Sequence, residues 1–179
     1  MGIIFRETKL KGAFVVEPEK FEDERGFFAR SFSDKEFAAH GINPRMVECN
    51  ISFNKKKHTI RGMHFQSAPY AQAKLVRCTQ GAIYDAMIDL RPDSPTYKQW
   101  IAEELTAKNG LMFYVPEGFA HGFQTLEDDT EVFYQVSAHY LPASCGGVRW
   151  DDPTFAVKWR TMEGVTVNER DQNYPDFRV

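Results

Sequence analysis

Cysteine is scarce in this chain: Cys49, Cys78 and Cys145 are odd in number, far apart, and form no C-x-x-C pair. That spacing argues against a disulfide framework or a cysteine zinc site and favours a reducing, cytoplasmic setting. No apolar run is long enough to span a bilayer. The start, Met1-Gly2-Ile3-Ile4-Phe5-Arg6, has neither the shape of a signal peptide nor the Ser or Thr that myristoylation wants at its sixth position. Charge of one sign is also missing. A net charge of −3 offers no basic field for nucleic acid, and no basic amphipathic segment points to a membrane. G-x-S-x-G, the P-loop and G-x-G-x-x-G are all absent, which removes the usual signatures of serine hydrolysis, NTP hydrolysis and a bound dinucleotide. Repeats, low-complexity stretches and linkers are lacking too. Asn50-Ile51-Ser52 matches a glycosylation sequon, but without secretion the match carries no weight.

What remains is one ordinary globular domain, residues 1–179, long enough to hide roughly two-thirds of its unfolded surface. With 42% hydrophobic and 26% charged residues the chain is soluble and ordered. Its 15 Phe, 7 Tyr and 3 Trp suit a β core or a flat ligand. One helix is readable: Ser33 caps it, Glu36 sits three residues on, and Gly41 ends it. Short strands are expected at Val47–Phe53, Lys74–Thr79, Ala82–Leu90, Trp100–Leu105, Leu111–Val115, Gly122–Leu126 and Glu131–Ala138. Gly81, Pro92, Pro95, Asn109-Gly110, Pro116 and Asp128-Asp129 separate them. Many short strands with turn signals at this spacing argue for a mainly β sandwich or barrel, with a ligand in its mouth as one common use.

The residues that could do chemistry fall in few places. In Thr59-Ile60-Arg61-Gly62-Met63-His64-Phe65-Gln66, extended chain puts His64 and Gln66 on one face with Gly62, where another group could approach the backbone closely. Taken alone, His64 has three readings: base, metal ligand or core residue. In Glu131–Ala138, alternation puts Tyr134 with Val132 and Val136 on a small apolar face, as a core tyrosine or a cavity residue. Lys74 at a strand start reads as solvated, and Asp85 and Asp89 read as partners of structural ion pairs. Arg25, Arg61, Arg77 and Arg91 flank strand-like segments and would suit a diphosphate. Pro116-Glu117-Gly118-Phe119-Ala120-His121-Gly122-Phe123 feeds a histidine into a strand and resembles the second motif of the cupin superfamily. Cupins often bind a metal through an HxH pair. Here Gly62 and Gln66 flank His64, so the pair is missing, which leaves His64 and His121 as two candidate ligands for a metal-dependent alternative.

Asp23-Glu24-Arg25-Gly26-Phe27-Phe28, Arg61 through Gln66, Lys74-Leu75-Val76, Asp89-Leu90-Arg91 with Ser94-Pro95-Thr96, Pro116 through Phe123, Tyr134 to Tyr140, and Trp150-Asp151-Asp152-Pro153 stand together in one order. In this the chain resembles the dTDP-4-dehydrorhamnose 3,5-epimerase family of cupin-fold sugar-nucleotide epimerases, over nearly its whole length. The resemblance implies a mainly β, cupin-like double-stranded β-helix (jelly-roll) barrel with short peripheral helices. It also implies an isomerase that inverts C3, C5 or both of an NDP-4-keto-6-deoxyhexose in deoxysugar biosynthesis, with no metal and no redox cofactor.

The roles it implies are specific. His64 matches the family's base and Asp171 the acid that orients it. Tyr134 matches the general acid on the opposite sugar face, Lys74 the group near the C4 oxygen, and Tyr140 the ring that stacks on the nucleotide base. Arg25, Phe28, Glu48, Asn50, Arg61, Gln66, His121 and Arg170 match or adjoin ligand-binding positions. A homodimer is implied as well, with Arg25 and Phe28 reaching toward the partner's site. The chain departs from the family pattern at Glu48, where Gln is common, at Arg30 and Cys145, where Glu is common, and at Arg170, where Lys is common. In the family all of these positions but that of Arg170 lie on the nucleotide or interface side, so a CDP- or other NDP-sugar, and a C3-only or C5-only reaction, stay open at this point.

Overall fold

The computed structural model describes residues 2–178; Met1 and Val179, the ends of the expected domain, lie outside the described residues. The strands are β1 (Ile3–Glu7), β2 (Phe14–Pro18), β3 (Phe21–Asp23), β4 (Gly26–Phe28), β5 (Glu48–Asn54), β6 (Thr59–Gln66) and β7 (Lys74–Gln80). They continue as β8 (Ala82–Asp89), β9 (Trp100–Thr106), β10 (Met112–Val115), β11 (Phe119–Thr125), β12 (Thr130–Val136), β13 (Cys145–Gly147) and β14 (Thr166–Val167). Two short helices, α1 (Asp34–Ala39) and α2 (Glu169–Gln172), are peripheral. Among the described residues, no helix is long and apolar enough to cross a membrane.

One sheet has the order β1-β2-β10-β7-β12-β5; the other runs β13-β6-β11-β8-β9, with β14 added beside β6. The chain crosses repeatedly between them, which is the jelly-roll arrangement expected. Strand alternation explains why the sheets close on each other. Val76 and Cys78 of β7, Val132 of β12 and Phe113 and Val115 of β10 point inward, to meet Ile83, Met87, Leu105, Phe119 and Phe123 from the opposite sheet. Each of the large apolar side chains contributes about 1.5–3 kcal/mol by leaving water. Outside the first sheet, Phe37 of α1 and Ile42 cover Phe14, Val16, Leu75 and Met112. Outside the second, Phe155, Val157 and Trp159 cover Ile60, Met63, Ala86 and Ile88.

The helix forms where Ser33, Glu36 and Gly41 place it. Ser33 accepts from the Glu36 N–H, and Gly41 takes φ +71° just beyond the helix end. The reciprocal half of the capping box is missing, because the Glu36 carboxylate accepts instead from Ile3 N at 2.8 Å and Arg30 Nη1 at 2.9 Å. The strands β1–β4, β13 and β14 lie outside those expected, and three of the differences show their physical causes directly. β1 is an edge strand whose alternation is blurred by Arg6 and Glu7. β11 begins at Phe119, three residues before the expected start, because pairing with β8 runs without a break from Phe119 to Thr125. β13 is Cys-Gly-Gly, a sequence without strand propensity that pairs because β6 lies beside it.

Gly62 does allow a close approach, and what approaches is the β11 backbone. A Cβ at Gly62, whose φ is +139°, would sit 2.5 Å from the Cα of Gly122.

Candidate active site

Between the two sheets lies a cavity of about 480 Å³, within the range of small-molecule sites. Its wall includes His64, Lys74, His121, Tyr134, Tyr140 and Arg170. Strand register brings two of these together: His64 of β6 is paired directly opposite His121 of β11.

His64 donates from Nε2 to Asp171 Oδ1 at 2.8 Å. Asp171 is completely buried, and its second oxygen accepts from the Gly62 N–H at 3.1 Å. Asn168 caps α2 and accepts from the Asp171 N–H at 2.7 Å, so the helix start fixes where the carboxylate stands. With both oxygens held, the carboxylate dictates that Nε2 carries the proton, leaving the Nδ1 lone pair as the basic site. Burial lowers the His64 pKa below its ordinary value. Asp171 opposes that shift, and the charges of Lys74 and Arg170 add to it. The ring is therefore neutral at neutral pH and able to take a proton. Asp171 is pushed up by burial, but the His64 and Gly62 hydrogen bonds and Arg170 more than offset this and hold it below the usual carboxylate range. Arg170 Nη2 lies 3.2 Å from His64 Nε2 and completes the positive rim.

Lys74 departs from the solvated reading. Its ammonium is ringed by protein, although part of the side chain is reached from the cavity, and Nζ donates to the His64 carbonyl at 3.4 Å. Burial brings its pKa down to about 8, with Asp85 and then Cys145 acting in the opposite direction. Tyr134 packs its ring on the inner core while facing the cavity, and none of the hydrogen bonds of the described residues involves its hydroxyl. A core tyrosine with a satisfied hydroxyl is thus not what stands here. Burial raises its pKa, and with Arg61 lowering and Glu48 raising it, the phenol stays protonated.

The expected binding residues divide into three groups. Asn50 and Arg61 line the cavity, with Arg61 Nε anchored on Asn54 Oδ1 at 2.7 Å. Gln66 and Glu48 line it as well, but their polar atoms are engaged by the chain. Gln66 donates to His139 O at 3.1 Å and accepts from Leu141 N at 2.9 Å, while Glu48 accepts from His139 Nδ1 at 3.0 Å and Tyr140 N at 3.3 Å. Both therefore hold the segment carrying Tyr140, whose ring is 60% exposed at the rim. Arg25 and Phe28 are not brought to the cavity. They lie on the β3–β4 hairpin, which pairs with neither main sheet, and Arg25 is bound to Asp23. Arg30, one of the departures, is tied to Glu36 outside the cavity, whereas Cys145 lines it.

His121 donates from Nε2 to Asp85 Oδ1 at 2.7 Å. Asp89 makes the ion pair expected of it, with Arg91 at 2.7 Å, whereas Asp85 pairs with a histidine rather than with Arg or Lys. Each cavity histidine thus has its own carboxylate, and among the described residues no group of three or more His, Cys, Asp or Glu is placed to hold a metal ion.

Tyr174 is a cavity residue that sequence reasoning missed. Its ring lies 6.4 Å from the His64 ring and directly on Gly147, where a Cβ would come within 2.2 Å of it. The signal was the Gly146-Gly147 pair, since such glycines mark where rings press on backbone.

A family model described as dTDP-4-dehydrorhamnose 3,5-epimerase matches residues 7–178. A dTDP-4-dehydrorhamnose 3,5-epimerase of Sinorhizobium fredii is 40% identical over 173 residues, 97% of this chain and 89% of that protein. Among solved structures, the Bacillus anthracis dTDP-4-dehydrorhamnose 3,5-epimerase with TDP and PPi bound is 40% identical at a TM-score of 0.94, covering 98% of this chain and 100% of that one. The Legionella pneumophila dTDP-6-deoxy-D-glucose-3,5-epimerase in complex with dTDP-4-keto-L-rhamnose is 34% identical at a TM-score of 0.89, covering 95% and 90%. A 3'-monoepimerase from Streptomyces bikiniensis in complex with dTDP-quinovose is more distant, 29% identical at a TM-score of 0.86 over 94% and 85%.

Proposed function

The chain belongs to the dTDP-4-dehydrorhamnose 3,5-epimerase family, and from that premise we propose that it inverts both C3 and C5 of a dTDP-linked 4-keto-6-deoxyhexose, with His64 as base and Tyr134 as acid. It is an isomerase, an epimerase of carbohydrates in deoxysugar biosynthesis. Double inversion is favoured because the relatives named 3,5-epimerase reach 40% identity while the monoepimerase reaches 29%. The dTDP nucleotide is favoured by the TDP and dTDP-sugar ligands of the Bacillus and Legionella structures.

One observation carries the assignment of roles. A neutral histidine on a buried carboxylate, a phenol with a free hydroxyl and a caged ammonium share a single cavity. The C4 ketone acidifies the protons on C3 and C5. His64 Nδ1 takes one, and the C–H electron pair moves into a C=C bond as charge builds on the C4 oxygen. Lys74 stabilises that oxyanion where water is excluded. Tyr134 then gives its proton to the carbon from the other face, which inverts it. The same groups repeat the cycle at the second carbon, and solvent restores both protonation states. General acid–base transfer of this kind contributes about 10²–10⁴-fold per group.

A homodimer goes with this reading. The β3–β4 hairpin exposes Phe21, Phe27 and Phe28, and the cavity rim exposes Ile51 and Phe53. Exposed rings on a projecting hairpin fit an interface that brings Arg25 and Phe28 to a second chain's cavity. Sedimentation at working concentration should show a dimer, and a pure monomer would contradict it. A cytoplasmic setting is proposed on the three unpaired thiols.

The reaction is tested by NMR, offering dTDP- and CDP-4-keto-6-deoxyglucose in deuterated water. Deuterium should enter C3 and C5 of the dTDP sugar, with both centres inverted. Labelling at one carbon would overturn double epimerisation, and turnover of the CDP sugar alone would overturn the nucleotide.

A further inference from the structure

Asp85 takes no part in the scheme above, yet it stands immediately behind the cavity wall. Its side chain is completely buried on β8. Oδ1 accepts from His121, and Oδ2 has no hydrogen-bond partner among the described residues. A buried carboxylate with an idle oxygen is costly, so its presence calls for a compensating charge nearby. Lys74 is that charge: it alternates with Val76 and Cys78 on β7 as Asp85 alternates with Ile83 and Met87 on β8, so both side chains point between the sheets, and Asp85 foremost among its neighbours favours the charged ammonium. Around Lys74, β6 contributes His64 with Asp171 bonded to it, β11 His121, β12 Tyr134, β5 Glu48, α2 Arg170 and β13 Cys145; of these only Cys145 joins Asp85 in favouring the charged Lys74.

We propose that Asp85 is a positioning residue for the epimerisation. One oxygen fixes the His121 ring so that Nδ1 is left for the substrate, and its charge holds Lys74 as an ammonium beside the C4 oxygen. The carboxylate thereby does for the oxyanion side of the cavity what Asp171 does for the base. The inference rests on the proposed epimerisation for its kinetic consequence, so the test also reads Lys74 directly.

The full-length protein and its Asp85→Asn variant are labelled with ¹³C at lysine Cε and titrated by NMR, the Lys74 signal being assigned by its loss in Lys74→Gln. In the wild type Lys74 should titrate at about 8. In Asp85→Asn it should titrate about one unit lower or more, and the alkaline limb of kcat on the keto sugar should move down with it. Asp85→Glu keeps the charge while displacing His121, so Lys74 should titrate close to the wild type. If Asp85→Asn does not fold, Asp85→Ser, which removes the same charge, is titrated in its place and should show the same downward shift. Superimposable Lys74 titrations in wild type and Asp85→Asn, or a large shift in Asp85→Glu, would overturn the proposal. If the wild type fails to exchange deuterium into the sugar, the epimerase reading falls, while the Lys74 titration still decides what Asp85 does.

Discussion

Replacing Asp171 with asparagine keeps the size of the side chain and removes its charge. The carboxylate accepts from His64 Nε2 at 2.8 Å, from the Gly62 N–H at 3.1 Å and, more weakly, from Arg170 Nε at 3.4 Å. An amide has one acceptor and one donor end, so it cannot accept from both His64 and Gly62. If its oxygen stays on Gly62, its NH₂ faces His64, the ring proton moves to Nδ1, and the base is lost. If it flips, the buried Gly62 N–H meets a donor and goes unsatisfied, at about 1–3 kcal/mol, which leaves a productive fraction about 5- to 150-fold smaller. In either orientation the imidazolium formed during proton removal loses its counter-charge. Together these effects place the loss in kcat at about 10²–10⁴-fold. KM should change less than about threefold, in line with Asp171 lying behind the ring and away from the cavity surface. The assay is deuterium wash-in at C5 followed with turnover on the same sample. A kcat within about threefold of the wild type would refute the argument that the carboxylate sets the tautomer.

Three further outcomes follow from the same geometry. The pH profile of kcat should be bell-shaped: an acid limb below the ordinary histidine value, because burial lowers His64 and it must be neutral, and an alkaline limb near 8, because Lys74 must be charged. Tyr134→Phe should lower the rate of inversion by about 10²-fold or more while deuterium still enters the substrate, since His64 continues to exchange its own face; loss of exchange in step with inversion would contradict the division of roles. Asp89 is pushed up by burial, but bonds from Arg91, Ser94 and Thr96 outweigh that and bring its pKa to about 2. Its folded value is depressed below the unfolded 3.8, so it contributes about 2 kcal/mol of stability above that pH, lost as pH falls through 2. Urea unfolding of Asp89→Asn should show that loss at pH 7 and little difference near pH 2.

Much of the site was legible because chemistry concentrates in short unusual segments. Arg61 to Gln66 and Pro116 to Phe123 fall on or lead into β6 and β11, the strands that meet at His64 and His121, and the family resemblance joined them to Asp171, far along the chain. Periodicity placed Tyr134 on the correct face but could not reveal that its hydroxyl lacks a partner. Lys74 looked like a surface residue because a strand start carries no information on what folds over it. Asp85 was read only as a structural ion-pair carboxylate, since its histidine partner is 36 residues away. Arg25 and Phe28 fit the family pattern, yet a hairpin that pairs with neither main sheet leaves them outside this chain's cavity. β1 and β13 escaped for a common reason: edge charges and paired glycines hide strands that exist through their neighbours.

The central claim is that His64 is the base, and the most direct measurement is solvent deuterium wash-in by the His64→Asn variant. Asparagine cannot take a proton at neutral pH, so a folded His64→Asn protein should leave C3 and C5 of dTDP-4-keto-6-deoxyglucose unlabelled while the wild type labels them. Exchange by His64→Asn at the wild-type rate would contradict the account.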